Sequence, residues 1–225
     1  NIQVVLFSDE DYPSELKHCF DAPFMLFFKG NVNFKNDKIL SIVGTRNVTT
    51  YGSGFVKELI QDLKIYNPII VSGYAYGVDI NAHLAAVENQ LQTIAVLGHG
   101  LNQTYPKSHQ KYNDVILANG CLMSEFWSSD SFNKENFIKR NRIVAGISKA
   151  TIVIESAIKG GSLSTAKFAN DYNKDVFALP GRNTDLYSAG CNFLIKTNQS
   201  SVITSAQDLV YILNWEIGNQ EIVKP

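Results

Sequence analysis

Cysteine is scarce in this sequence: Cys19, Cys121 and Cys191 are the only three, odd in number and far apart. Without a C-x-x-C pair they suit neither a disulfide framework nor a thiolate zinc site, and read as buried thiols of a reducing compartment. Long apolar runs are missing as well. None approaches the roughly 20 residues that a membrane-spanning helix needs, and no basic-then-apolar leader opens the chain, which begins at Asn1 as a trimmed or processed product would. The expectation is a cytoplasmic protein with no membrane partner. Positive charge is not in excess either: 20 Lys and Arg stand against 21 Asp and Glu. A chain that holds a polyanion by bulk electrostatics is usually basic, so such a partner would have to be met by a local patch. Repeats and low-complexity tracts are absent. So are the Walker order G-x-x-x-x-G-K-[ST], the G-x-S-x-G elbow and any spaced nucleophile, base and orienter. No catalytic residue, metal or other cofactor is nominated; His99 and His109 lack metal-ligand spacing.

What is present is alternation. With 225 residues and 45% hydrophobic content the chain can build one substantial core and at most two small domains. Short apolar runs rich in Val and Ile recur at Ile39–Val43, Ile69–Ser72, Thr93–Leu97, Cys121–Glu125, Thr151–Glu155 and Asp175–Leu179. Continuous apolarity fits strands buried on both faces. Between them, 51–64, 77–90, 106–119, 134–148 and 162–173 read as crossover helices; Phe55, Leu59 and Leu63 form one apolar stripe in the first. Residues 184–214 add a helix, a short strand at Val202–Thr204 and a last helix after Ser205. The pattern predicts a doubly wound α/β fold, a mostly parallel sheet with helices on both faces. Residues 1–34 lack the alternation and read as an N-terminal arm with an edge strand at Phe24–Lys29. The main domain then covers 35–215, and 216–225 is a tail.

Glycines follow the strands: Gly44, Gly73, the pair Gly98 and Gly100, the pair Gly160 and Gly161, and Gly181. Ligands of open α/β sheets bind beyond the carboxyl ends of the strands, and exposed N–H groups at helix starts suit anions there. The first of these loops, Gly44-Thr45-Arg46, carries arginine where a dinucleotide loop would have glycine. A guanidinium three residues past a strand can fork onto a phosphate, or simply pair with a nearby acid. The segment from Lys134 to Lys149 holds five cations, Lys134, Lys139, Arg140, Arg142 and Lys149, against Glu135, a local charge of +4. On a helix, Lys134, Phe137 and Asn141 share one face, flanked by Arg140 and Arg142. Cation, ring and amide together suit a single-stranded nucleic acid; spacing alone equally allows a core Phe137 with solvated cations. In 155–166, Lys159, Gly160, Gly161 and Ser162 would offer charge, N–H groups and a hydroxyl at a helix start. Asp79 and His83 stand at i, i+4, as a metal or acid–base pair can, though a structural hydrogen bond is commoner. Glu155 reads either as an acid at the ligand edge or as an acceptor for nearby N–H groups.

The motifs VGTR…YG, SGYAYGVDINAH, AVLGHGLNQTYP, SEF, FIKRNRIVAGIS, VIESAIKGGSLSTA and VFALPG stand in an order that resembles the DNA-processing protein A, or Smf, family. The resemblance spans about residues 10–210, and DYPSELKHCFDAPFMLFFKGN resembles the stretch before that family's core. It implies an extended Rossmann-like domain that binds single-stranded DNA in natural transformation, protects incoming strands, helps load the RecA recombinase, works as a homodimer and has no established catalysis. Carried over by motif, the pocket would use Gly44, Thr45 and Arg46, the KRNR helix, and Lys159 to Ser162; the candidate DNA-binding residues are then these loops with Gly73 and, on the helix, Lys134, Phe137, Arg140, Asn141 and Arg142. Two departures stand out. Many members carry a SAM-like domain before the core and a winged helix after it, and this sequence has room for neither. The loop VGTRNVT also lacks the second basic residue that often follows the first, which leaves Arg46 with more of the work. The rival reading is a nucleotide hydrolase or nucleotide sensor similar to the "lonely guy" phosphoribohydrolases. Their P-G-G-x-G-T-x-x-E motif, laid on Gly160 and Gly161, puts Ser164 at the threonine and Lys167 at the glutamate, so the catalytic carboxylate is missing.

Overall fold

Short apolar runs closed by glycine can be buried on both faces only if helices cover both. The computed structural model has that arrangement over residues 1–216, the residues it describes. Except for Glu216, the expected tail lies outside the described residues.

Nine strands form one sheet: β1 (Gln3–Leu6), β2 (Met25–Gly30), β3 (Ile39–Val43), β4 (Ile69–Ser72), β5 (Thr93–Val96), β6 (Gly120–Ser124), β7 (Ala150–Val153), β8 (Asp175–Ala178) and β9 (Ser201–Val202). Their spatial order is β1-β2-β6-β5-β4-β3-β7-β8-β9. From β6 through β9 every neighbouring pair is parallel, while β1 and β2 are added antiparallel. The chain runs outward from β3 through β4 and β5 to β6, then returns to the other side of β3 as β7. The topological switch point of this Rossmann-like fold therefore lies between β3 and β7.

Eight helices accompany the strands among the described residues: α1 (Ser14–Lys17), α2 (Thr50–Leu63), α3 (Val78–Glu88), α4 (Asn113–Ala118), α5 (Glu135–Gly146), α6 (Ser162–Asp171), α7 (Ala189–Lys196) and α8 (Ala206–Ile212). Side chains alternate across each strand and feed two large cores and a smaller one, the last built on Ala95 of β5 and Leu122 of β6 with Ile116 of α4. Ile39 and Val43 pack with Ile143 and Val144 of α5, Ala166 of α6 and Leu194 of α7. Leu40 and Ile42 face the other way, onto Val56, Leu59 and Ile60 of α2 and Val78 and Ala82 of α3. Ser41 of β3 is satisfied inside the sheet by the Thr151 hydroxyl of β7 at 2.8 Å. Cys19, Cys121 and Cys191 are buried and unpaired. No helix among the described residues is long and apolar enough to cross a membrane.

The departures from expectation are local. Five of the six runs form strands within one residue of the predicted bounds; β7 ends at Val153, two residues before the expected Glu155, and β9 covers Ser201–Val202, one residue early at its start and two at its end. The crossover expected over 106–119 divides into a 3-10 segment, Lys107–Tyr112, and α4. The expected edge strand is an interior one: β2 lies between β6 and β1, and β1 forms the edge. β1 does carry a short apolar run, Val4-Val5-Leu6-Phe7, but it stands outside the strand–helix alternation that marks the other strands, and only Val5 of the strand is buried. The segment between them is tied down by Leu16, which joins the α5 core, and by Tyr12, whose buried hydroxyl donates to the Pro23 carbonyl at 2.6 Å.

Truncation of Ile42, fully buried between β3 and α2, is expected to cost about 2–5 kcal/mol as Ile42→Ala, from lost transfer energy plus a cavity. Ile65→Ala, at an exposed position, is expected to stay within about 0.5 kcal/mol. Urea denaturation of the two variants checks the pair.

Candidate nucleic-acid interface

Beyond the carboxyl ends of β3, β4 and β7 lies a cleft of about 260 Å³. Ten of the thirteen residues singled out in the sequence line it: Gly44, Thr45, Arg46, Gly73, Phe137, Arg140, Asn141, Gly160, Gly161 and Ser162. They come from the β3–α2 loop, the end of β4, the outer face of α5 and the start of α6.

The β3–α2 loop is fixed by its backbone. The Thr45 amide donates to the Glu155 carbonyl at 2.6 Å, and the Thr45 carbonyl accepts the Val78 amide at 3.1 Å. Gly77, with φ at +75°, lets the start of α3 press against this loop; a Cβ there would run into the backbone of Thr45 and Arg46. Arg46 itself is exposed and has no ion-pair partner among the described residues. Behind the loop, the buried Glu155 accepts the Thr49 amide at 2.8 Å and the Thr49 hydroxyl at 2.6 Å. Thr49 caps α2 through the Gly52 amide. The glutamate thus serves as an acceptor for N–H and O–H groups and anchors the loop that carries Arg46.

Arg140 is not the free cation that spacing implied. It is buried, and one guanidinium nitrogen, Nη1, donates to the carbonyls of both Gly73 and Val96. It thereby ties the ends of β4 and β5 to α5. Gly73 makes the room: a Cβ there would stand 2.5 Å from Nη1 and 2.7 Å from Cζ. Burial lowers the Arg140 pKa to about 10, opposed by the charge of Asp79, so the group stays cationic at neutral pH. Its charge reaches the cleft through the floor.

Phe137 is half-buried over Gly98, with ring centroids 5.3 Å from Tyr105 and 5.6 Å from Phe132. Tyr105, Phe132 and Tyr76 are all exposed and extend this shelf outward. Of this shelf, only Phe137 shares a predicted helix face with the cations. The available signal was Tyr105 in the loop after the Gly98 and Gly100 pair. On the other wall the Asn141 amide donates to the Ser164 hydroxyl at 2.9 Å, and Ser162 Oγ donates to Ser156 Oγ at 2.9 Å. At the start of α6 the Leu163 and Ser164 amides donate back to the Gly160 and Gly161 carbonyls at 3.1 Å, which leaves the Gly161 and Ser162 amides as the N–H groups available to an anion.

Three of the thirteen do not line the cleft. Lys159 is exposed in the loop between the lining residues Ala157 and Gly160, and Lys134 is exposed at the start of α5, one turn before Phe137. Arg142 points elsewhere: two residues of helix turn it about 200° from Arg140. It is buried, donating to the Asp21 carbonyl at 2.8 Å and pairing with Glu125 at 2.5 Å. Its charge is neutralised beneath the N-terminal arm. Asp79 and His83 also part company. Asp79 accepts the Ala75 amide at 3.2 Å, while His83 bonds through Nδ1 to the Thr93 hydroxyl at 2.6 Å. Burial pushes the His83 pKa down to about 3, leaving a neutral ring. No group of three or more His, Cys, Asp or Glu with metal-binding geometry occurs among the described residues.

Residues 3–214 match the family model described as DNA recombination-mediator protein A. The DNA processing protein DprA of Streptococcus pneumoniae is 39% identical over 202 residues, 90% of this chain and 71% of its own length. Its solved structure superposes with a TM-score of 0.87 at 36% identity, covering 96% of this chain and 75% of that one. DNA processing protein A from Helicobacter pylori, solved for its single-stranded DNA binding mode, superposes with a TM-score of 0.85 at 29% identity, covering 96% of this chain and 98% of that one.

Gly73→Ala is expected to push the Arg140 guanidinium from its seat and to destabilise the protein by about 1–3 kcal/mol, the range for overpacking a filled site. Gly54→Ala, where a Cβ meets nothing within 4 Å, should show no such loss. Thermal melts of both variants make the comparison.

Proposed function

Because the chain belongs to the DNA recombination-mediator protein A family, we propose that its cleft binds single-stranded DNA. The observation that carries this reading is the meeting of Arg46, the Phe137 ring and the first turn of α6 around one opening at the switch point. Each supplies a different part of the recognition. The Arg46 guanidinium holds a phosphate, the ring stacks a base, and the Gly161 and Ser162 amides at the start of α6 take the neighbouring phosphate. Lys134 and Lys159, exposed beside the opening, extend the attraction along the strand. Thr45, Gly44 and Asn141 shape the wall, and Gly73 acts through Arg140. Duplex DNA is disfavoured because its bases are already stacked and cannot reach a single ring in a cleft.

In the cell the reading is of a cytoplasmic homodimer acting in natural transformation. It covers incoming single strands and helps load the RecA recombinase, without catalysis of its own. The nucleotide-hydrolase alternative has no carboxylate where it needs one, since Lys167 pairs with Asp171 at 2.7 Å on the outer face of α6.

Fluorescence titration with oligo-dT, against duplex of equal length, tests the proposal. Arg46→Ala is expected to weaken oligo-dT binding at least about tenfold. It should also make the slope of log K against log salt shallower by about 0.7, one phosphate contact. Phe137→Ala is expected to weaken binding with the slope unchanged, because stacking releases few counterions. Arg142→Gln should leave the slope unchanged whatever it costs in stability. Equal affinity for duplex, or no effect of Arg46→Ala, would refute the assignment.

A further inference from the structure

One acid stands among the cations of the cleft. Asp79, in the first turn of α3, is buried and lines the same opening as Arg46, Phe137 and Arg140. Arg140 of α5 and Arg46 of the β3–α2 loop line the same cleft and act on it as positive charges without a direct ion pair, while the Ser72 hydroxyl at the end of β4 donates to the Ile42 carbonyl at 2.6 Å. Its Oδ2 accepts the Ala75 amide at 3.2 Å. Other titratable groups nearby are spoken for. His83, one turn along α3, is turned to Thr93 and neutral; His109, on the Lys107–Tyr112 segment, bonds to the Tyr74 carbonyl and is held below its ordinary pKa by burial; Glu155 spends both oxygens on Thr49. The cleft floor thus holds two guanidiniums and one carboxylate.

An empty cleft needs that carboxylate. Arg140 is buried with its Nε unpartnered, and a buried cation without a counter-charge is costly. A filled cleft does not need it. A phosphate drawn toward Arg46 and above Arg140 supplies the same negative charge, and Asp79 then becomes a like charge at close range in a site of low dielectric. Resting on the reading of this cleft as a DNA site, we propose that Asp79 competes with the DNA phosphate for Arg46 and Arg140, and takes up a proton from solvent when the strand binds. No covalent bond to the strand is made or broken; one proton moves from water to the carboxylate. Burial already raises the Asp79 pKa above the ordinary carboxylate value, and a bound phosphate raises it further. Strand binding therefore tightens as pH falls through the value in the complex, and levels off below the value in the free protein.

Calorimetric titration with oligo-dT between about pH 5.5 and 8, in buffers of different ionisation enthalpy, measures affinity and proton uptake together. The wild type is expected to take up protons on binding and to bind more tightly at lower pH. Asp79→Asn keeps an acceptor for the Ala75 amide; it is expected to bind about tenfold more tightly at the upper end of the range, one pK unit's worth. It should also lose both the proton uptake and the pH dependence. Wild-type binding without proton uptake, or Asp79→Asn with uptake unchanged, would overturn the proposal while leaving the DNA site intact. Folded Asp79→Asn that binds more weakly than wild type would also overturn it, by making the carboxylate a mere organiser of Arg140. If Asp79→Asn does not fold, the wild-type proton count alone decides. Absence of oligo-dT binding at every pH would instead remove the site itself.

Discussion

A parallel sheet sealed by helices on both faces has nowhere to expose chemistry except along the ends of its strands. Here β3, β4, β5 and β7 are buried along their whole length, so their side chains are committed to the interior. Everything polar that the protein can offer a ligand must hang from the loops beyond those strands. The turn of direction at β3 opens the crevice between them. The β3–α2 loop, the start of α3 and the start of α6 converge there because the sheet gives them no other place to be.

Arg140 is the point at which this arrangement would otherwise fail. The carbonyls of Gly73 and Val96 end neighbouring strands, and a buried carbonyl without a donor costs free energy. The guanidinium of α5 satisfies both and so locks a helix to two strand ends. That solution imports a positive charge into the floor, requires glycine at 73, and calls for Asp79 as the opposing charge. The electrostatics of the cleft thus follow from backbone hydrogen-bond accounting as much as from any demand of a ligand.

Phe137 and Arg142 illustrate how helical geometry sorts a charge cluster. Both belong to a run that reads as one basic face. On α5, Phe137 turns to the cleft and joins Tyr105 and Phe132, whereas Arg142 turns under the N-terminal arm to Glu125 and Asp21. A count of cations along the sequence overstates what the cleft receives. The aromatic shelf is understated for the opposite reason: Tyr76 and Tyr105 come from segments far from Phe137 in the chain, and Phe132, though only five residues before it, lies ahead of the helix and off its face pattern.

The six buried strands were legible because continuous Val and Ile runs closed by glycine have few other uses, and the loops Gly44–Arg46 and Gly160–Ser162 because they sit at the ends of those strands. β1 was not legible as part of the sheet: its run Val4-Val5-Leu6-Phe7 is apolar, but it is followed by no crossover helix, and its antiparallel pairing with β2 is set by tertiary contacts. Nor were the fates of Arg140, Arg142 and Glu155, since burial and partner choice depend on which element packs above. Local sequence thus determined the strands, their order of alternation with helices and the ligand edge, through short-range periodicity and turn chemistry. Only the tertiary structure decided which charges face the cleft and which are spent inside, because pairing between residues from 17 to 121 positions apart is set by packing and not by the neighbours in the chain.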